Sequence, residues 1–469
     1  MTLFTTVDPR PIHFMGIAGA GMSGLALLAV RQGLAITGCD TDPSGAADLA
    51  AQGVEIWRGH DPGHLEGARA LVVTAAVPGD HPEVARARSL GVPVVRRADA
   101  LGQAVAGGTV VAVAGTHGKT TTTVMVTEAL AAAGRDPTGL AGGRVARWGG
   151  NARVGGPALY VVEADEFDRA FLSLRPTIAV VTNVEADHLE CYDGSVAALE
   201  RAFAEFAGPA RRVIVGGDDA GAERVAQAVR APVWRVGLGS TADVRVVDPR
   251  LDERGSRARL ELPGGRTVAL ELRVPGLHNL RNAATALAVA AELGADLEPG
   301  RAALAQFTGV GRRFERLGEA QGVTVVDDYA HHPTEVAATL AAARQAFPTR
   351  RLVAVFQPHL FSRTRLHGAA LGRALAAADV VVVAPIYGAR EAPEPGVTAE
   401  LVARGAAEAG ATTVAVADRA ALGSWVADTV RAGDVVFTLG AGDVTRVGPE
   451  LLAALAGQGR AAGPDRGGA

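Results

Sequence analysis

The chain has 469 residues, 48% of them hydrophobic and 20% charged, with a formal net charge of −4. At roughly 150 residues per domain this predicts two to four domains with substantial cores, and the mild negative balance argues against nucleic-acid or membrane-surface binding. Two distant cysteines, Cys39 and Cys191, make neither a disulfide framework nor metal-ligand spacing, and no apolar run approaches the ~18 residues of a membrane span, so a cytoplasmic chain without membrane insertion is expected.

In chain order, "PIHFMGIA" reads as a strand, "GMSGLALLAVRQG" as a helix ending at Gly33, and "AITGCD" as a second strand. "ALVVTAA" and "VPVVRR" continue an alternation that implies βαβ units and a parallel sheet. The pattern restarts at Gly107-Gly108 with the strand "TVVAVAG", the helix "TTTVMVTEALAAAG", and the strands "ALYVVEAD", "TIAVVTN" and "RRVIVGG". From Asp243 to Val274 polar and apolar residues alternate between turns at Arg254-Gly255 and Pro263-Gly264-Gly265, predicting a small antiparallel meander. The helix "RNAATALAVAAELG" follows. A third block has strands "GVTVVDD", "RLVAVFQ", "DVVVVAP", "TTVAVAD" and "DVVFTLG", and the tail "GQGRAAGPDRGGA" reads as disordered.

The fold class is therefore α/β, as three consecutive α/β domains. These are a Rossmann-like domain over residues 1–105, a phosphate-loop ATPase-like domain with the meander over 106–312, and a second Rossmann-like domain over 313–458. A disordered tail covers 459–469.

Lys119 is the only lysine, against 46 lysines and arginines together. It stands in "VVAVAGTHGKTTTT", where a strand runs into a glycine loop that opens a helix. Backbone N–H groups of such a loop curl around phosphate oxygens, and the helix N-terminus adds its positive end. The spacing Gly115-x-x-Gly118-Lys119-Thr120 is a shortened form of the usual loop. It places Lys119 to reach β- and γ-phosphates and the Thr120 hydroxyl to ligate Mg²⁺. A compact ammonium follows a moving phosphoryl group where a planar guanidinium prefers fixed bidentate partners.

An earlier loop, "GIAGAGMSG", contains Gly19-x-Gly21-x-x-Gly24 between a strand and a helix, with Asp40 ending the next strand. This matches the dinucleotide fingerprint and leaves an NAD-dependent oxidoreductase open. It reports only a diphosphate held by glycine amides, which a UDP-sugar also offers, and the ATP-type loop is superfluous in a simple dehydrogenase.

"VVEADEFD" ends a strand at Glu163, with Asp165, Glu166 and Asp168 beyond, and "VVTNVEADHLE" delivers Asn183, Glu185, Asp187 and His188 to the same rim. Carboxylates at the carboxyl end of a parallel strand suit Mg²⁺. Glu163 and His188 are the expected metal contacts, several of the rest being solvated loop charges. "VVDDYAHHPTEV" pairs two histidines with no third ligand at zinc spacing, so substrate or nucleotide contact is expected there. "VFQPHLFSRTR" presents Gln357, His359, Arg363 and Arg365, a rim suited to carboxylates or phosphates. Arg312 and Arg313 of "GRRFE" stand at a block junction, placed either to swing onto a γ-phosphate or to form interdomain ion pairs.

Together "HFMGIAGAGMSGLA", "GTHGKTTTT", "EADEFD", "TNVEADH", "PGLHNLRNA", "GVGRRFE", "DDYAHHPTE", "FQPH" and "GAGDV" resemble the signatures of the Mur ligase family over nearly the whole chain. The resemblance implies ATP-driven amide formation through an acyl phosphate, with ATP as co-substrate and two Mg²⁺. "GAGMSG", "RPTIAVVTN", "DDYAHHPTE" and "FQPH" resemble the branch that joins L-alanine to UDP-N-acetylmuramate. "EADEFD" also resembles the branch that recycles a whole tripeptide. The resemblance puts Gly115, Thr116, His117, Gly118, Lys119, Thr120 and Thr121 on the ATP phosphates. Thr120 and Glu163 would hold one Mg²⁺, and Glu163 with His188 the other, making Lys119, Glu163 and His188 the catalytic group. His278, Asn279, Asn282, Arg313 and Asp328 would complete the ATP site. Gly19, Gly21, Met22, Ser23 and Asp40 would meet the UDP-sugar, and His331 and Arg363 the amino acid. Phe167 replaces a usual serine, Arg169-Ala170 precede Phe171, and Leu360 replaces a usual arginine. A carbamylated second lysine, used by some relatives, is excluded.

Overall fold

The computed structural model describes residues 3–4, 7–389, 391–411, 414–416 and 418–461. Three sheets follow one another. The first contains β1 (Ile12–Met15), β2 (Ile36–Asp40), β3 (Glu55–Arg58), β4 (Ala70–Val73) and β5 (Val94–Arg96), in the order β3-β2-β1-β4-β5. All its pairings are parallel. Strand order reverses beside β1, and a doubly wound sheet opens its ligand crevice at such a reversal. The glycine loop after β1 lies there, leading into the helix Ala20–Arg31.

The second sheet has ten strands. These are β6 (Thr109–Ala114), β7 (Thr138–Val145), β8 (Gly150–Arg153), β9 (Leu159–Glu163), β10 (Ile178–Val181), β11 (Arg212–Gly216), β12 (Val233–Gly237), β13 (Val244–Asp252), β14 (Gly255–Leu262) and β15 (Arg266–Leu272). Their order is β15-β14-β13-β12-β11-β10-β6-β9-β7-β8. Strand β6 runs parallel to both β9 and β10. Its valines and alanines are buried on both faces, which makes it a continuous apolar run. The third sheet contains β16 (Glu315–Ala320), β17 (Val323–Asp328), β18 (Leu352–Phe356), β19 (Val380–Val383), β20 (Val414–Val416) and β21 (Val435–Leu439). Its order is β16-β17-β21-β18-β19-β20, parallel except for β16 against β17.

The chain divides into two compact units. Met1–Pro249, Arg257–Leu272 and Leu280–Phe307 form the first; Arg250–Ser256, Arg273–Asn279 and Thr308–Ala469 form the second. In the first unit one continuous core runs from Phe14, Ile17, Leu25 and Leu28 to Val162, Phe171, Phe203 and Phe206. In the second unit, two apolar layers lie over opposite faces of the third sheet. The final helix continues to Ala461, into the segment expected to be a tail, and residues 462–469 lie outside those described. No helix among the described residues is long and apolar enough to cross a membrane.

Five strands, β3, β7, β8, β12 and β16, have no counterpart among the strands expected from the sequence. Strands β3 (EIWR), β8 (GNAR) and β16 (ERLGEA) are sheet edges, β7 (TGLAGGRV) is rich in glycine, and β12 (VWRVG) is half-buried over most of its length. Edge strands lack the two-sided burial that writes an apolar run into a sequence.

Candidate functional site

In the first unit, β6 ends in the loop Gly115–Gly118. Gly115 has φ +137° and Gly118 has φ +80°, a region L-residues with side chains rarely enter. A Cβ on Gly115 would strike the Thr182 hydroxyl, and one on Gly118 would lie 3.0 Å from Asn282 Oδ1. The loop after β10 clamps this turn. Thr182 Oγ1 donates to the His117 carbonyl at 2.6 Å, the His117 N–H donates to Asn183 Oδ1 at 2.8 Å, and the Glu185 N–H donates to Thr116 Oγ1 at 2.8 Å. No side chain caps the helix Lys119–Ala132, so its first amides face the turn. Orphan amides, a fixed turn and a lysine together make an anion cradle.

The Lys119 ammonium donates to the Gly115 carbonyl at 2.6 Å and to both oxygens of Glu166, at 2.9 and 2.7 Å. Glu166 is 2% exposed, so it is not the solvated loop charge expected of several residues around it. Burial opposes the charge on Lys119, but Glu166, Asp165 and Glu163 outweigh that and hold its pKa above the ordinary lysine value. It therefore stays protonated. Burial lifts the Glu166 carboxyl above its ordinary range, and Lys119 pulls it back.

Glu163 ends β9. Thr120 Oγ1 donates to Glu163 Oε1 at 3.0 Å, and the Gly142 N–H donates to Oε2 at 2.5 Å. A hydroxyl and a carboxylate oxygen this close beside a phosphate cradle are hard oxygen donors of the kind Mg²⁺ takes, so the residues present fit that ion. His188 adopts φ +53° and meets Phe167 edge-on, with ring centroids 5.1 Å apart. The substituted Phe167 thus packs against a candidate ligand. Tyr192, fully buried, donates to the Glu166 carbonyl at 2.5 Å and pins the loop from below.

The first glycine loop is held by contacts within the first unit. Met22 is in the core, and the buried Ser23 hydroxyl donates to the Ala20 carbonyl and accepts from Asn151 Nδ2 at 3.1 Å. Asp40 braces the loop, accepting from the Ala18 N–H at 3.0 Å and the Asp42 N–H at 3.0 Å. Its hydrogen bonds fall within the chain because the turn after β1 brings the Ala18 amide onto it. A cation unremarked in the sequence reading stands here: a Cβ on Gly21 would lie 2.9 Å from Arg97 Nη1. The signal was "VVRR" at the end of β5.

The helix Leu277–Glu292 carries His278, Asn279 and Asn282. Asn282 belongs to the first unit, against Gly118; His278 and Asn279 belong to the second.

In the second unit, β17 ends in two buried aspartates. Asp327 accepts from Thr438 Oγ1 at 2.5 Å, Thr445 Oγ1 at 2.9 Å and Arg312 Nε at 3.2 Å. Arg312 also donates to the Gly440 carbonyl, and Arg313 pairs with Glu335 at 3.5 Å over the Tyr329 ring. Both arginines have partners within the second unit. Asp328 accepts the Phe314 and Ala330 N–H groups, each at 2.8 Å. Burial pushes its pKa up from 3.8 to about 6, against the pull of Arg313. A carboxyl raised on folding favours the folded state fully below pH ~4, and that contribution is lost as pH rises through about 6. Asp328→Asn should therefore gain stability relative to the parent between pH ~4 and ~7, read from denaturant midpoints across that range; a constant difference would refute this.

His331 Nδ1 lies 2.9 Å from the Tyr329 carbonyl and 3.2 Å from Glu335. Its ring meets His359 at 6.3 Å, and His359 Nδ1 is 3.3 Å from Arg363 Nη1. The two residues expected to hold the amino acid, His331 and Arg363, therefore share one cluster with His359. Arg365 instead turns to Glu394 at 3.0 Å. Gln357 braces the fold through Asp443 and the Val444 amide. Leu360, buried at φ +68°, starts the helix Phe361–Leu375.

A lysine-bearing glycine loop between a central parallel strand and an uncapped helix, with a hydroxyl–carboxylate pair beside it, defines a nucleoside-triphosphate-binding α/β protein. Three family profiles match in order: the Mur ligase family catalytic domain over residues 11–109, the middle domain over 113–290 and the glutamate ligase domain over 312–442. The chain is 45% identical to the UDP-N-acetylmuramate–L-alanine ligase of Cutibacterium acnes, over 96% of this chain and 98% of the relative. It is 47% identical to the ligase of that name from Kineococcus radiotolerans, over 95% and 96%. The crystal structure of the UDP-N-acetylmuramate–alanine ligase of Thermotoga maritima superposes with a TM-score of 0.82 at 28% identity, covering 96% of this chain and 100% of that one. A murein peptide ligase from Psychrobacter arcticus superposes at 0.72 with 26% identity, covering 95% and 99%. The chain belongs to the Mur ligase family.

Proposed function

We propose that this chain is an ATP-dependent ligase that joins L-alanine to the lactyl carboxylate of UDP-N-acetylmuramate in the synthesis of cell-wall peptide precursors. The observation that carries it is the full-length identity to ligases of that name, in a chain whose only lysine sits in the phosphate cradle. This reading takes the reaction to be cytoplasmic.

The γ-phosphoryl group passes to a lactyl carboxylate oxygen, leaving ADP and an acyl phosphate. The neutral alanine amine attacks the acyl carbon, the bond to phosphate breaks, and the amine proton is lost as the amide forms. In this reading Gly115 to Thr121 hold the ATP phosphates, and the Lys119 ammonium stabilises charge on the transferred group. Thr120 and Glu163 would hold one Mg²⁺, and Glu163 with His188 would hold a second. Bound Mg²⁺ neutralises phosphate charge that would otherwise repel the attacking carboxylate. His278, Asn279, Asn282, Arg313 and Asp328 serve the nucleotide, Gly19, Gly21 and Arg97 the UDP diphosphate, and His331 and Arg363 the alanine carboxylate.

Phosphate release from MgATP and UDP-N-acetylmuramate tests this, with L-alanine, L-alanyl-γ-D-glutamyl-meso-diaminopimelate or no acceptor. Release that needs L-alanine, with the amide found by mass, supports the reading; release with the tripeptide alone overturns it. Arg97→Ala should weaken UDP-N-acetylmuramate binding by roughly tenfold or more, the value of a charge-assisted hydrogen bond. Calorimetric titration should show this with ATP affinity unchanged.

A further inference from the structure

A second cluster of ligating side chains lies on one face of the first sheet, away from the phosphate cradle. His13 of β1 and Cys39 of β2 point to that face, where the turn Pro62–Leu65 brings His64 and the helix Pro82–Ser89 brings Glu83. His13, Cys39 and Glu83 are fully buried, and one ligand atom from each of the four lies within 4.8 Å of the others.

Hydrogen bonding alone explains these contacts poorly. Cys39 Sγ has four polar atoms around it: His60 Nδ1 at 3.2 Å, His13 Nε2 at 3.4 Å, and Glu83 Oε1 and Oε2 at 3.4 and 3.5 Å. A thiol has one proton and accepts weakly, so it satisfies few of them. A divalent ion answers the contacts with His13 and Glu83 and leaves the His60 ring beside the sulfur as a hydrogen-bond partner. Zinc bonds of about 2.0–2.3 Å to N, O and S at tetrahedral angles give ligand–ligand edges of about 3.3–3.7 Å. Here the edges His13 Nε2 to Cys39 Sγ and Cys39 Sγ to Glu83 Oε1 are both 3.4 Å, and His64 Nδ1 to Glu83 Oε1 is 3.0 Å.

Charge also balances, since a thiolate and a carboxylate offset a dication in a buried place where net charge is costly. An outer layer of hydrogen bonds orients the ligands, as metal sites require. His13 Nδ1 meets Thr37 Oγ1 at 3.0 Å, turning Nε2 inward, and the Asp61 N–H donates to Glu83 Oε1 at 3.0 Å. Trp57 stacks on the His64 ring at 4.6 Å. The side chains of His60 and His64, 23% and 13% exposed, mark the way in.

We propose that His13, Cys39, His64 and Glu83 form a structural zinc site that fastens the turn Pro62–Leu65 and the helix Pro82–Ser89 onto β1 and β2. All four positions are protein ligands, the closed arrangement of a structural rather than a catalytic site. On binding, the Cys39 thiol proton leaves to solvent and a sulfur–zinc bond forms.

The test uses the full chain with no affinity tag, loaded with zinc or with cobalt(II) and then desalted. Metal analysis should find zinc at parity with the chain. Cobalt should give a thiolate charge-transfer band and tetrahedral ligand-field bands that excess Mg²⁺ does not remove. Cys39→Ser should lose the charge-transfer band, and Cys191→Ser should keep it. Protein that retains no zinc after loading overturns the proposal, as does a band that survives Cys39→Ser or disappears in Cys191→Ser. Should Cys39→Ser not fold, wild-type metal content and the Cys191→Ser spectrum decide the matter.

Discussion

Replacing Lys119 with arginine should cut kcat by at least the 10²–10³-fold typical of a lost preorganised donor, while calorimetric affinity for UDP-N-acetylmuramate stays unchanged. The charge survives the substitution, so the loss must come from shape. The ammonium fits a niche walled by the Gly115 carbonyl at 2.6 Å, the Thr116 carbonyl at 3.3 Å and both Glu166 oxygens. A guanidinium is wider and planar, and it would settle into a bidentate pair with the Glu166 carboxylate. It would then be held away from the phosphoryl group. Near-normal turnover in Lys119→Arg would refute this account of the lone lysine.

The second large effect concerns stability. Glu166→Leu removes the buried counter-charge and strands the ammonium, whose side chain is 15% exposed. The expected loss is about 3–5 kcal/mol, the usual cost of breaking a buried pair by deleting one partner. Lys119→Met with Glu166→Leu should recover most of that loss, since an apolar pair of similar volume avoids desolvating either charge. The double variant should be inactive. Denaturant midpoints of parent, both single variants and the double variant complete the cycle. A double variant no more stable than Glu166→Leu would show that the carboxylate supports the loop by another route. Phosphate groups should compete with Glu166 for the same ammonium, so MgATP should stabilise Glu166→Leu more than it stabilises the parent.

Which carboxylate sits by the lysine could not be read from "EADEFD". Glu163 stands out in the sequence because it ends a strand, which is β9. Glu166 turns inward because the segment behind it winds through Asp168 and Arg169 at φ +53° and +56°, conformations that residue type alone does not announce. The phosphate loop was legible for the opposite reason. Only glycine tolerates Gly115 and Gly118, so the geometry left its mark as a residue identity. Central strands such as β6, β10 and β18 were legible through burial on both faces. The metal-like cluster was invisible, since His13, Cys39, His64 and Glu83 have no shared spacing and meet only when β1, β2 and the helix Pro82–Ser89 assemble.

A chain with a single lysine presents a single side-chain amine to acylating chemistry. That amine is pinned by four oxygens in a buried niche, so a reagent must wait for the niche to open before it can react. The rate of amine labelling therefore serves as a clock for the opening of one loop, with no competing sites elsewhere among the side chains. Nucleotide that seats itself on the ammonium should slow that clock, giving a measure of site occupancy independent of turnover.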